Sequence, residues 1–246
     1  MKQSAAFFLL MVLMTIGSAN PAWCAQPFAL VELFSSEGCS SCPPADELLR
    51  QITQQANENN QRVFPLSFQV DYWDYLGWKD PNSQPEFTQR QYQYDHVLGT
   101  GSVYTPQMVI NGEKAFVGSD GQKANAYIRD FLKISSNYEL KLKLNNDHSN
   151  QLEINYFCDG PADAVLHFAL VESGLESRVT SGENQGRTLK HANVVREFKT
   201  VALSQNDGSV VFKKPAQDNI QNFSIIAYLQ DKATMRVLAA EKVDVK

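Results

Sequence analysis

The spacing of apolar positions changes character once along the chain, near residue 137. Before that point, short continuous apolar runs alternate with segments whose apolar residues recur at three and four. Phe28 to Phe34, "FALVELF", is apolar but for one acid, the pattern of a strand buried on both faces. From Cys42 to about Asn57 the positions Ala45, Leu48, Leu49, Ile52 and Ala56 predict a helix. Asp46 and Glu47 fall in its first turn, where the helix dipole favours negative charge. Pro43 and Pro44 fit there because first-turn amides lack partners within the helix. Val63 to Val70, "VFPLSFQV", reads as a second strand, and strand, helix and strand this close make a right-handed βαβ unit. A helix is expected from Pro85 to about Val97, and a strand from Gln107 to Ile110. Asn111-Gly112 favours a tight hairpin turn before a return strand from Lys114 to Val117. Asp120 to Ile134 fits a closing helix, with Ala124, Tyr127, Ile128, Phe131 and Leu132 on one face.

Beyond Asn137 the period becomes two. "YELKLKL" and "QLEINYF" alternate cleanly, and "VLHFALV", "SVVFKK", "FSIIAYL" and "RVLAAEKVDV" are further strand candidates. Strands with no helices between them imply an all-β antiparallel sandwich. The expected organisation is therefore an α/β domain over residues 26–136 followed by a sandwich domain over 137–246. At 246 residues and 43% hydrophobic content, the chain has enough apolar material for two ordinary cores.

Residues 1–25 read as a secretory signal peptide: Lys2 supplies the positive end, Phe7 to Ile16 the apolar run, and Gly17-Ser18-Ala19 a small-residue exit. That run is shorter than the roughly 20 residues a membrane-spanning helix needs, so no membrane span is expected after its removal. Cleavage after Ala19, Ala22, Cys24 or Ala25 is compatible with the pattern, which leaves the fate of Cys24 open. Export, to the periplasm in a double-membraned bacterium, puts the cysteines where disulfides persist. The formal net charge of −5 disfavours a phosphate backbone as partner.

Four cysteines are present, and Cys39 and Cys42 form one unit. Two small residues lie between them, with a strand before and a helix after. A helix start favours the thiolate on the outer cysteine. Cys39, flanked by Gly38, is expected to be the exposed attacking sulfur and Cys42 the shielded resolving one. Asp71 to Lys79, "DYWDYLGWK", follows the second strand and is expected beside the cysteines. Tyr72, Trp73, Tyr75 and Trp78 are then either a wall of a substrate groove or a cap over the first core. Asp71 and Asp74 are equally open between proton relay and ion pairing. Cys158 reads as a buried unpaired thiol.

In these features the chain resembles the thioredoxin superfamily over about Phe28 to Ile134. More closely, "VELFSSEGCSSCPPAD", "VDYWDYLGWKD", "VYTPQMVING" and "GENQGRTLKHANVVR" are similar to a family of secreted thioredoxin-like proteins known as domain of unknown function twelve twenty-three. The resemblance implies an α/β thioredoxin-like fold in the first domain. It also implies a cis Pro106 facing the attacking cysteine, with Thr105 offering backbone groups to an extended substrate. The superfamily places a buried acid in the strand before CxxC; Glu32 occupies the comparable place, one residue further away than usual, and is the candidate proton acceptor for Cys42.

The function expected is thiol-disulfide exchange with protein thiols or disulfides, without a dissociable cofactor and with a separate redox recycling partner. Against it stand a non-catalytic binding module with a structural disulfide, and copper delivery, since two thiolates and a distant His or Met can hold the reduced ion. A structural zinc site would need about four ligands, and no second CxxC supplies them. His96, His167 and His191 read as ordinary histidines. The excursion at 182–199 interrupts the strand pattern and reads as a solvated hairpin, or else as a loop reaching towards the cysteines or a partner.

Overall fold

The computed structural model describes residues 26–145 and 150–245. The expected leader with Cys24, and His148, lie outside them. No helix among the described residues is long and apolar enough to cross a membrane. The first half follows the periodicity closely. Strand β1 (Ala29–Ser35) leads through the Cys39–Cys42 turn into α1 (Pro43–Glu58), then β2 (Val63–Gln69), α2 (Pro85–Leu98), β3 (Gln107–Ile110), β4 (Lys114–Val117) and α3 (Gly121–Phe131). The second half is β throughout: β5 (Leu140–Asn145), β6 (Gln151–Cys158), β7 (Ala164–Glu172), β8 (Leu175–Arg178), β9 (Thr188–His191), β10 (Val194–Ala202), β11 (Asp207–Lys213), β12 (Phe223–Asp231) and β13 (Val237–Asp244).

The expected fold class, an α/β thioredoxin-like domain followed by a separate antiparallel sandwich, is overturned by the sheet topology. One mixed eight-stranded sheet runs β13-β12-β7-β10-β2-β1-β3-β4 through both halves. Strands predominate, and only α1, α2 and α3 are α-helices among the described residues. The join is β10, whose Val194 pairs in parallel with Ser67 of β2. Asn193 secures it: its carbonyl accepts from the Ser67 amide at 2.9 Å and its side chain donates to the Pro65 carbonyl at 2.9 Å. The physical reason is that β2 has an outer edge of unpaired backbone groups, and the second half supplies the strand that satisfies it. A smaller sheet, β11-β6-β5, covers one end of the large one. Leu152, Ile154 and Phe212 of that layer meet Phe168, Ile225 and Leu229 of β7 and β12.

Strand alternation divides the side chains of β1 between two cores. Ala29, Val31 and Leu33 pack with Leu49 and Ile52 of α1 and Ile128 of α3. Leu30 and Phe34 face the other way, with Phe87 and Tyr94 of α2 and with Ile226 and Tyr228 of β12. Ser35 shares the α1 face and Glu32 the α2 face, an assignment that decides which carboxylate belongs near the cysteines.

Candidate functional site

Cys39 and Cys42 form a disulfide across the turn between β1 and α1, with Cα atoms 5.4 Å apart. The turn is built from its own backbone: Cys39 N–H donates to the Ser36 carbonyl at 3.1 Å, and Cys42 N–H to the Cys39 carbonyl at 3.2 Å. The prolines expected at the helix start are there, and they leave few amides. Pro43 and Pro44 carry none, and the N–H groups of Ala45 and Asp46 both donate to the Cys42 carbonyl.

The Thr105–Pro106 bond is cis, and this dipeptide lies against the cysteine turn. Ser41 Oγ is 3.3 Å from Cys39 Sγ and donates to the Thr105 carbonyl at 3.5 Å. Gly118 keeps this corner tight: a Cβ there would meet Leu33 Cδ1 at 2.7 Å, Pro106 Cβ at 3.1 Å and Ala45 Cβ at 3.3 Å. Trp73 reaches the same place, its indole N–H donating to Thr105 Oγ1 at 2.7 Å. Tyr72 turns to α2 and donates to Gln91 at 3.2 Å. Trp78 donates to Glu37 Oε2 at 2.8 Å. Of the expected residues, then, the structure gathers Cys39, Cys42, Thr105, Pro106, Trp73 and Trp78 around one turn. Asp71 and Asp74 serve local hydrogen bonds, to Thr88 and to Ser83.

Two expectations are corrected. Cys39 is not an exposed sulfur: both cysteines are 0% accessible, while Ser40 and Ser41 between them are exposed. Glu32 is not beside Cys42. It points to the α2 face, where Arg90 Nε donates to it at 2.7 Å and the hydroxyls of Tyr94 and Tyr228 also bond to it. The intervening residues of β1 fix this, because positions 32 and 35 lie on opposite faces of a strand.

What covers Cys39 is the excursion at 182–199, the feature left between a solvated hairpin and a loop reaching the cysteines. Strands β8 and β9 pair antiparallel, and β9 lies along α1. Their connection is closed by backbone bonds between Val179 and both Gly186 and Arg187. At its tip the fully buried Asn184 amide donates to the Glu37 carbonyl at 2.8 Å and to the Cys39 carbonyl at 2.9 Å. Exposed Glu183 accepts from the Ser40 N–H at 3.1 Å. Gly182, at φ +74°, passes so close to Trp78 that a side chain would touch its Cβ at 3.2 Å. The hairpin tip and the aromatic segment thus both dock on the cysteine turn and its neighbours.

Beneath the hairpin lies a buried ionic cluster. His191 Nε2 is 3.3 Å from Glu37 Oε1, and His191 Nδ1 is 3.7 Å from Asp46 Oδ1. Neither contact is aligned as a hydrogen bond, and those four atoms have no other partner. Burial penalises the charged imidazole, but the two carboxylates outweigh it and push the His191 pKa up to about 10. Burial likewise opposes ionisation of Glu37, yet the adjacent His191 cation and bonds from Trp78 and Ser177 hold its pKa below the usual value. Asp80, which accepts from the Glu37 N–H at 3.0 Å, is pushed up to about 6 by burial and by the Glu37 charge. His191, Glu37, Asp80 and Asn184 escape sequence reasoning because their proximity depends on the fold of the 182–199 excursion; the one local signal is Glu37, an acid two residues before Cys39 in a turn of small residues. No group of three or more His, Cys, Asp or Glu side chains among the described residues is placed to hold a metal ion.

Comparison with known proteins gives no significant match among curated sequences. Among solved structures, an X-ray structure of a structural-genomics target from Agrobacterium tumefaciens is 29% identical, covering 89% of this chain and 94% of its own, with a TM-score of 0.68. A domain of the outer membrane lipoprotein Omp28 from Porphyromonas gingivalis is 11% identical over 44% of this chain and 88% of its own, with a TM-score of 0.27, too remote to bear on the fold. The model of the family described as "Protein of unknown function (DUF1223)" matches residues 30–230, and the chain belongs to that family.

Proposed function

We propose that the protein is an exported thiol-disulfide oxidoreductase whose Cys39–Cys42 pair exchanges disulfides with protein substrates under a lid formed by the β8–β9 hairpin tip. The observation that carries this reading is the disulfide's setting: the turn leading into α1, against cis Pro106, with a hairpin tip held to that turn by hydrogen bonds from Asn184. A cover held by a few hydrogen bonds, each worth about 0.5–1.5 kcal/mol net, can open to admit a substrate thiolate.

In the exchange, a substrate thiolate attacks Cys39 Sγ as the Cys39–Cys42 bond breaks, leaving a mixed disulfide and a Cys42 thiolate. A second substrate thiol then displaces Cys39, so the substrate dithiol is oxidised and the enzyme pair reduced by the same two electrons. The reverse sequence reduces a substrate disulfide. A recycling partner resets the pair in either direction.

The second reading, a non-catalytic module with a structural disulfide, is favoured by one observation, the complete burial of Cys39. Trapping separates the two. Cys42→Ser is expected to accumulate mixed disulfides between Cys39 and exported proteins, seen as reductant-sensitive bands on non-reducing gels and lost in Cys39→Ser. Absence of such adducts would favour the structural staple.

A further inference from the structure

The helix start that ordinarily stabilises a CxxC thiolate is depleted here. Pro43 and Pro44 have no N–H, and the next two amides are spent on the Cys42 carbonyl. Both cysteines are also buried, which disfavours an ionised sulfur. Exchange nonetheless requires a thiolate, so charge must be supplied from elsewhere. The ionic cluster brackets the cysteine turn on both sides. Glu37 lies two residues before Cys39, and its backbone carbonyl shares the Asn184 amide with that of Cys39. Asp46 lies one turn after Cys42, its amide bonded to the Cys42 carbonyl and its Oδ2 accepting from Ser35 at 3.1 Å. His191, 2% accessible, is the cation held between them.

We infer that His191 is a positioning residue that sets the ionisation of the Cys39–Cys42 dithiol, by neutralising the two carboxylates that flank it. The inference rests on the redox reading above and extends it to the residue that tunes the pair. Without that cation, Glu37 and Asp46 would present like charge to a nascent thiolate and disfavour it. With it, the carboxylates are balanced in part and the thiolate of the reduced state is supported.

The other charged groups around His191 do not replace it. From β9 itself, exposed Lys190 pairs with Glu176 of β8 at 2.9 Å. From α1, Arg50 pairs with Glu47 at 2.6 Å. Asp80 reaches the cluster through the Glu37 amide, and Arg187 of the hairpin tip is engaged with Asn184. A cavity of about 390 Å³ opens between α1 and the hairpin, with His191 and Lys190 among the residues that line it.

The test is the pH dependence of iodoacetamide alkylation of the reduced full chain, read on the Cys39 peptide by mass spectrometry. His191→Gln is expected to raise the midpoint by on the order of one pH unit, and Glu37→Gln and Asp46→Asn to lower it. Shifts of opposite sign are what charge coupling produces and a merely structural role does not. Because His191→Gln removes a buried cation and can impair folding, a second readout uses the wild type alone. The His191 ring resonances, followed by NMR against pH, should show an inflection at thiol ionisation in the reduced protein and none in the oxidised one, since the coupling is reciprocal. If Cys39 ionises but its midpoint is the same in all variants and the two His191 titrations coincide, His191 has no such role while the redox reading stands. If Cys39 never alkylates at any pH in the folded wild type, both fall.

Discussion

Arg90→Ala is expected to destabilise the fold by about 3–5 kcal/mol, the cost of leaving one member of a buried ion pair without its partner. Arg90 and Glu32 are both buried, and the Arg90 Nε donates to Glu32 Oε1 at 2.7 Å. The remaining guanidinium donors reach the Tyr94 hydroxyl at 2.8 Å and Gln230 Oε1 at 3.1 and 3.2 Å. Rings of Phe68, Tyr94, Phe198 and Tyr228 surround the cation at 5.0 to 5.8 Å. Burial works against the Arg90 charge, but the Glu32 carboxylate outweighs it and pushes the guanidinium pKa further up. Removal of the arginine thus strands a carboxylate in an apolar interior and opens a cavity at once. The network ties β1 and α2 to β12, so the loss falls on the join between the two halves of the chain. Urea denaturation measures it, and a change below about 1 kcal/mol would show that water reaches Glu32. The double variant Arg90→Met/Glu32→Leu should recover most of the loss, because it leaves no buried charge behind.

Asn184→Ala is expected to speed reduction of the Cys39–Cys42 disulfide by dithiothreitol about 5- to 150-fold. The buried Asn184 amide makes two hydrogen bonds to carbonyls of the cysteine turn, and each contributes about 0.5–1.5 kcal/mol net. Their loss favours the open lid by about 1–3 kcal/mol, and each 1.4 kcal/mol is tenfold in population. Asn184→Asp, which keeps the volume but sets a carboxylate against two carbonyl oxygens, should open the lid at least as far. Arg187, which donates to Asn184 Oδ1 at 3.0 Å, orients the amide, and its removal should give a smaller effect of the same sign. Reduction rates unchanged in both Asn184 variants would mean that the hairpin tip does not gate access.

The elements of the first half were legible because each is announced locally. The strand from Gln107 to Ile110 and its return from Lys114 to Val117 fall where the Asn111-Gly112 turn requires, and α1 where its apolar spacing and prolines put it. The architecture was not legible, and β10 shows why. Its sequence, "VVREFKTVA", is rich in charge, and a bulge between Val195 and Glu197 breaks the alternation that would mark it as a strand. Yet this is the strand that joins β7 to β2 and makes one sheet of two. A clue was present in β7 and β12, "AVLHFALVE" and "FSIIAYLQD". They are buried almost throughout, as central strands of a sheet covered on both faces are, not alternating as in a solvated sandwich.

The site divides in the same way. The cysteine pair, Thr105-Pro106 and the aromatic segment were readable because each follows or begins a strand at one edge of the sheet. The lid and the His191 cluster were not, since they depend on a hairpin arriving from some 150 residues downstream of Cys39 and docking on α1. Glu32 misled because a buried acid in the right strand is a strong signal, and only the parity of strand positions separates the face of Arg90 from the face of α1.

The central claim is that the Cys39–Cys42 bond opens and closes within the folded protein. Equilibrating the full chain with glutathione buffers of graded redox poise, and quantifying the two cysteines by mass spectrometry while circular dichroism follows the fold, tests it most directly. The account predicts a reversible passage from disulfide to dithiol with an unchanged spectrum; a disulfide that resists reduction until the chain unfolds would contradict it.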